Sequence, residues 1–415
     1  MLPKLIPVLL FSCISLFCSP ESIAQEKIYF EPKFTGGGKQ SDFVTCNGVV
    51  VFETTPESKF DKYSSIIPTK KFFVVYDYSA KKILVFDKTG RFIKKSGNKL
   101  DFGRFTYNAE KDRLEMVSQN KTYRLTNKDN ARILEDYQNP KNLKYYRKYF
   151  IDLTDTLNFS VHKQKIVNSD ILNPVPYIDG MHFVNQMTVD NNFEKTEDYE
   201  LKIYRGDSLL KQYFVYDKKK DSRYIFDRTS VFIAPSAKAA DERWITHPYD
   251  YTIYALQKDS LYKVYSFVLP LDRAIPADFF AREFQNKTEK DNYLRQNRKL
   301  VKQFYVYNLS GRYINFSMQS MMFEMQQFIY DTKTKVFYNY DKINPDSLTY
   351  YLPVCKKLAF NDGGFIYARI DAEDALKTFD DHKKDNVKYP PLLEAYFKTA
   401  TANSNPVLIN FNYRN

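Results

Sequence analysis

One stretch gathers side chains of the kind that recognise ligands: Arg243-Trp244-Ile245-Thr246-His247-Pro248-Tyr249, which holds the only Trp of the chain. Trp or Tyr beside Arg and His makes a surface that stacks on a sugar ring or anchors a peptide. Arg243, Trp244, His247 and Tyr249 are therefore the candidate ligand-binding residues. A plainer reading stands beside this one, with Trp244 a core residue and His247 a loop residue.

Other chemistry is thin. Metal catalysis needs converging ligands, and His162, His182, His247 and His382 stand apart, no two at a spacing that shares a helix or strand face. Gly36-Gly37-Gly38-Lys39 lacks the complete Gly-x-x-x-x-Gly-Lys-Ser/Thr pattern of a phosphate loop and reads as an N-terminal linker. No Gly-x-Ser-x-Gly elbow occurs, and no cysteine sits in a nucleophile motif. No catalytic residue, metal or cofactor is assigned. Paired carboxylates could serve a glycosidase, but 50 acidic residues offer no way to pick the pair. Asp77, Asp87, Asp217 and Asp331 close apolar runs and read as turn caps.

The elements that must carry these residues are strands. Tyr and Phe number 34 each while Gly numbers 12, and aromatic side chains suit a pleated, half-buried surface. With 43% hydrophobic and 27% charged residues the chain can bury a core, which excludes the disordered class. The net charge of +12 comes from lysines scattered beside acids, as in Lys218-Lys219-Lys220-Asp221. That pattern is a solvated surface rather than a nucleic-acid footprint.

Apolar strand, acidic or amide stop, tight turn and second strand recur as a phrase. It runs through Lys71–Asp77, Ile83–Asp87 and Arg91–Lys95, and again through Phe214–Asp217 with Arg223–Asp227. Tyr305–Asn308 with Arg312–Phe316, and Ile329–Asp331 with Val336–Tyr340, repeat it. Such meanders are the unit of a propeller blade, which cannot cover both faces unless blades stack round an axis. Ser41–Thr54 reads as a hairpin turning at Asn47-Gly48. Helical patterns are few: one opening at Ile275-Pro276 and continuing through Thr288–Lys302, then Asp371–Phe379 and Pro391–Ala402. An outer-membrane barrel fits less well, since many strand patterns are shorter than roughly 10 residues and charge is frequent.

At the N-terminus, Lys4 precedes an apolar run, Leu5–Phe17, and Ser22-Ile23-Ala24 suits signal-peptidase cleavage before Gln25. Lipidation at Cys13 or Cys18 is the alternative. Cleavage leaves Cys46 and Cys355, one near each end of the chain. Two readings stand open: a disulfide that closes a ring, or two buried thiols.

Val75–Lys95 resembles the blade phrase of the secreted six-bladed β-propeller proteins of Bacteroidetes, relatives of the NHL-repeat propellers. Pro248–Tyr254 with Asp259–Tyr262, the Ile275-Pro276 start and Asn405–Ile409 are further echoes, while the glycine-rich stretch common in that family is reduced to Gly97 and Gly103. The resemblance implies an all-β fold, a six-bladed propeller of four-stranded antiparallel blades with short helical insertions. It divides the chain into a leader, 1–24, and one propeller domain, 25–415. It further implies that Val407–Phe411 pairs with an N-terminal strand to close the ring, and that the protein is exported to the periplasm or outer-membrane surface of a Gram-negative cell. The expected role is a monomeric, non-catalytic binding or scaffold module for a glycan, peptide or envelope protein, touching membrane only through an N-terminal lipid. The alternative is a glycan- or peptide-acting enzyme with carboxylates at the propeller mouth.

Overall fold

In the computed structural model, the described residues are 26–414, less 97–103, 124, 127–128, 130–131, 134–138, 155–158, 172–174, 186–196, 218–230, 237–238, 240, 283, 310 and 363. The leader expected at 1–24, Gly97, Gly103 and the strand expected at 223–227 lie outside them.

Three strands, β1 (Glu26–Tyr29), β2 (Gly36–Lys39) and β3 (Val44–Val51), precede the first complete sheet. Blade 1 then follows the expected meander: β4 (Ser65–Pro68), β5 (Phe72–Asp77), β6 (Lys82–Asp87) and β7 (Phe92–Lys95). β5 is buried at every position, so both its faces need a neighbour. Blade 2 is β8 (Arg104–Asn108), β9 (Arg113–Gln119), β10 (Tyr146–Asp152) and β11 (Val161–Gln164). A short helix, α1 (Asn168–Ile171), leads to blade 3: β12 (Val175–Pro176), β13 (Met181–Asn185), β14 (Glu197–Arg205) and β15 (Ser208–Asp217). Blade 4 is β16 (Phe232–Pro235), β17 (Glu242–Thr246), β18 (Thr252–Gln257) and β19 (Ser260–Val268). After α2 (Lys287–Gln296), blade 5 is β20 (Val301–Leu309), β21 (Tyr313–Ser320), β22 (Met325–Asp331) and β23 (Val336–Asn344). Blade 6 is β24 (Leu358–Asp362), β25 (Phe365–Ile370) and β26 (Val407–Tyr413), with α3 (Ala372–Asp381) and α4 (Pro391–Thr399) inserted before β26.

The fourth strand of blade 6 is β3, paired antiparallel to β26 from Val407 opposite Val51 to Tyr413 opposite Val44. The two ends of the chain thus share one sheet and close the ring. Inner strands of neighbouring blades touch, as at β16 and β20 or β24 and β4. Because strands alternate in direction, the second-to-third-strand and blade-to-blade connections emerge on one face, and α1, α2, α3 and α4 all lie in such connections.

Three local expectations change. Asn47-Gly48 makes no hairpin turn: β3 runs straight through, Gly48 opposite Asn410 and Cys46 opposite Phe411, which leaves Asn47 as the extra residue of a bulge. Gly36-Gly37-Gly38-Lys39 is no linker but an edge strand parallel to β23. A Cβ on Gly37 would meet the Lys342 carbonyl oxygen at 2.4 Å, so the close approach needs glycine. Ile275-Pro276 opens only a 3₁₀ turn at Phe279–Ala281. Three of the four aspartate caps form as expected: Asp87 Oδ1 accepts from the amides of Thr89 and Arg91, Asp331 Oδ1 from Lys333 and Thr334, and Asp77 Oδ1 from Ala80, while the side chain of Asp217 lies outside the described residues.

The N-terminal strands also work as a strap. β1 adds parallel to the outer strand of blade 4 and β2 to that of blade 5, covering edges that would otherwise invite association. Phe30, 1% exposed, plugs the strap between these blades, its ring centroid 4.5 to 6.3 Å from those of Phe267, Phe304, Phe316, Phe328 and Phe337. Truncating such a ring loses its transfer energy and leaves a cavity. Phe30→Ala should lower the unfolding free energy by about 3–5 kcal/mol, read from the urea midpoint. Deleting 405–415 should give insoluble or unfolded protein, and a truncated form that melts like the parent would contradict closure through β26.

Candidate functional site

Five of the six blade interfaces are packed by apolar clusters. Phe72, Val74, Leu114 and Met116 belong to the one between blades 1 and 2; Leu201, Ile203, Ile245 and Leu256 join blades 3 and 4. Blades 4 and 5, 5 and 6, and 6 and 1 are joined likewise. Among the described residues, blades 2 and 3 share no such cluster. Their interface holds a cleft of about 430 Å³.

The turn after β8 and the turn after β12 form its mouth, where the Gly180 amide donates to Glu110 Oε1 at 3.2 Å across the two blades. Deeper in, alternation along the strands aims charged side chains inward. Arg113 and Glu115 on β9, Lys148 on β10 and Asp170 on α1 line the cleft. Lys148 Nζ lies 2.6 Å from Asp170 Oδ1 and 3.2 Å from Glu115 Oε2. Arg113 reaches Glu115 Oε1 through Nη2 at 2.6 Å and Nε at 2.8 Å, and its guanidinium lies over the Phe150 ring. Asp170, its side chain 7% exposed, also accepts from the Val167 amide at 2.9 Å. Burial would raise the Glu115 carboxyl, but the Lys148 and Arg113 cations outweigh it and hold the group below the ordinary carboxylate range.

The predicted ligand residues are dispersed. Arg243 alone reaches the cleft, its guanidinium 5.0 Å from the centroid of the Tyr177 ring and Nη1 donating to the Glu242 carbonyl at 2.8 Å. Burial pulls its pKa below the usual value, against Tyr177 and Asp241. Trp244, 2% exposed, packs between blades 4 and 5. His247 ties blade 4 to blade 3, Nε2 2.9 Å from buried Glu200 Oε1 and the ring stacked on Phe214. Tyr249, at φ 61°, donates its amide to the Lys302 carbonyl and packs on Phe279. Sequence reading missed Arg113, Glu115, Lys148 and Asp170; the faint signal was charge inside strand patterns, Arg113 and Glu115 on alternate positions of β9.

No bond joins Cys46 and Cys355, which are free thiols. Both pack in the apolar cluster between blades 5 and 6. Burial, then the charge of Asp346, pushes the Cys46 thiol up to about 12, and burial raises Cys355 as well. The thiolate that oxidation requires is therefore scarce. Among the described residues no group of His, Cys, Asp and Glu could hold a metal ion, and no helix is long and apolar enough to cross a membrane.

No family model and no curated protein matches the sequence. Among solved structures, a Bacteroides fragilis protein described as a putative exported protein aligns with a TM-score of 0.58 at 14% identity, over 94% of this chain and all of its own. The likeness is one of fold: this chain is a six-bladed β-propeller. A DUF4221-family member from Bacteroides vulgatus aligns at TM-score 0.40 and 9% identity, over 90% of this chain and 98% of its own. The propeller domain of the trilobed protease of Pyrococcus furiosus gives 0.33 and 10%, over 74% and 79%. The propeller places the cleft between two blades rather than on the axis.

Two measurements follow from this geometry. Glu115 is depressed in the folded state, so its stabilisation is whole above its unfolded value of about 4.3 and is lost as pH falls through the folded value. Glu115→Gln leaves Lys148 and Arg113 short of a counter-charge, so it should cost about 3–5 kcal/mol at pH 7. The difference from the parent should shrink below about pH 4 in denaturation run as a function of pH. Cys46 and Cys355 should stay unlabelled by a thiol reagent in native protein at pH 7.5 and label on unfolding, as mapped by peptide mass.

Proposed function

We propose that this propeller is an exported, non-catalytic binding module whose ligand site is the cleft between blades 2 and 3. One observation carries the reading: where each other interface is packed by an apolar cluster, this one holds, among the described residues, a cleft of about 430 Å³ lined in part by charged side chains, a volume suited to a small ligand. Forgoing apolar packing at one joint costs stability, and an interface that serves only to hold the ring would gain by filling it. What supports export is the sequence pattern of a leader at 1–24 and the description of the Bacteroides fragilis protein of the same fold as a putative exported protein.

Binding is favoured over carboxylate catalysis for a physical reason. A hydrolytic pair needs one carboxyl kept protonated near neutral pH, which calls for a raised pKa. Glu115 is shifted the other way, and Asp170 is tied to Lys148 and to a backbone amide.

A thermal-shift screen of sugars, sugar acids, amino acids and nucleotides tests the reading. A ligand at 100 times its Kd should stabilise by about 2.7 kcal/mol, a rise of a few degrees in Tm. Val167→Trp, at a half-exposed wall position whose amide bond to Asp170 is kept, should abolish that rise. A screen without any shift, or a shift unchanged in Val167→Trp, would overturn the proposal.

A further inference from the structure

We infer that the ligand of the cleft is an uncharged, hydroxyl-rich molecule of one or two rings, a neutral saccharide; this rests on the reading of the cleft as the binding site. Charge balance across the walls selects for such a ligand. Lys148 is shared by Asp170 at 2.6 Å and Glu115 at 3.2 Å, and Arg113 is held by Glu115 at 2.6 Å. Two cations and two anions thus cancel within one connected cluster. At the mouth Glu110 stands beside Lys111, and on the opposite wall Arg243 has Asp241, itself behind the wall, as its counter-charge, so the cations Lys111, Arg113, Lys148 and Arg243 meet the anions Glu110, Glu115, Asp170 and Asp241. The walls therefore offer no net counter-charge, and an anion or cation entering the cleft would shed water without gaining an opposite charge.

Hydroxyl groups meet a different surface. A hydroxyl both donates and accepts, so it can take up the donor and acceptor capacity that ion pairing leaves over: an ammonium has three N–H donors, a guanidinium five, and a carboxylate about four lone-pair sites. Tyr107, whose hydroxyl donates to Asp112 Oδ1 at 2.7 Å, also lines the cleft and supplies ring carbon for the C–H faces of a sugar. Fixed charges that cancel one another give such a site strong, directed hydrogen bonds with little long-range attraction. Neutral ligands are then favoured over their charged analogues, and binding depends weakly on salt.

The experiment is calorimetric titration of the full chain with matched pairs: neutral hexoses and their disaccharides, the corresponding uronates, and the corresponding hexosamines. At least one neutral sugar should bind at least tenfold tighter than its uronate and its amine, with an affinity changed less than twofold between 50 and 500 mM salt. Val167→Trp should abolish that binding. Glu115→Gln shifts the walls to net positive and should move the preference towards the uronate by about tenfold. A uronate, amino acid or nucleotide that binds tighter than every neutral sugar, and is blocked by Val167→Trp, would keep the cleft as the site and overturn the ligand class. A neutral sugar that binds Val167→Trp as tightly as the parent overturns the inference. No binding by any member of the panel, with no shift from any other ligand class, overturns the inference together with the reading beneath it.

Discussion

Apolar packing between neighbouring blades is the constraint on which the rest depends. A four-stranded sheet such as blade 1, with β5 buried along its whole length, cannot satisfy both faces alone. Stacking solves this only if the stack returns on itself, because an open stack leaves one apolar face at each end. The phenylalanines that fill the interface of blades 4 and 5 and the tyrosines and aliphatics between blades 5 and 6 are therefore of one kind, an inter-blade filling repeated round an axis.

Closure is built from both chain ends and reinforced beyond the ladder of β3 and β26. Asn405, fully buried, donates to the carbonyls of Glu53 and Ser58 and accepts from the Phe60 amide, fixing the connection from blade 6 to blade 1. Arg369 donates to the carbonyls of Asp61 and Ser64 across the same joint. Gln40 does similar work beneath blade 6, donating to Leu352 and accepting from the Cys355 amide. The strap adds its own hold through Phe30. Polar groups buried at the closing joint are thus paired, whereas the polar groups between blades 2 and 3 line a space.

Much of this was legible in the sequence because it is local. The blade phrase at Val75–Lys95 shows its turns through Asp87 and Gly90, and Gly90 has φ +92° with a would-be Cβ 2.2 Å from the Val51 carbonyl oxygen. Non-local choices were not legible. Asn47-Gly48 carries a strong hairpin signal, yet pairing with β26, some 360 residues away, absorbs it as a bulge. The tri-glycine stretch reads as a linker until Lys342 is seen pressed against it. The cleft was the hardest to foresee, since its charged residues come from β9, β10, α1 and β17, share no motif, and acquire meaning only once two blades face each other. Of the four residues singled out at 243–249, alternation along β17 sends Arg243 towards blade 3 and Trp244 towards blade 5.

Inter-blade apolar packing holds the ring, and among the described residues the joint of blades 2 and 3 is the one without an apolar cluster. Native-state hydrogen exchange, followed by mass spectrometry through low denaturant, measures this most directly because it reports the opening free energy of each blade separately. The account predicts that amides of blades 2 and 3 lose protection in a sub-global opening, while those of blades 4 to 6 exchange only on global unfolding. Equal protection in all six blades, or earlier exchange in blades 5 and 6, would contradict it.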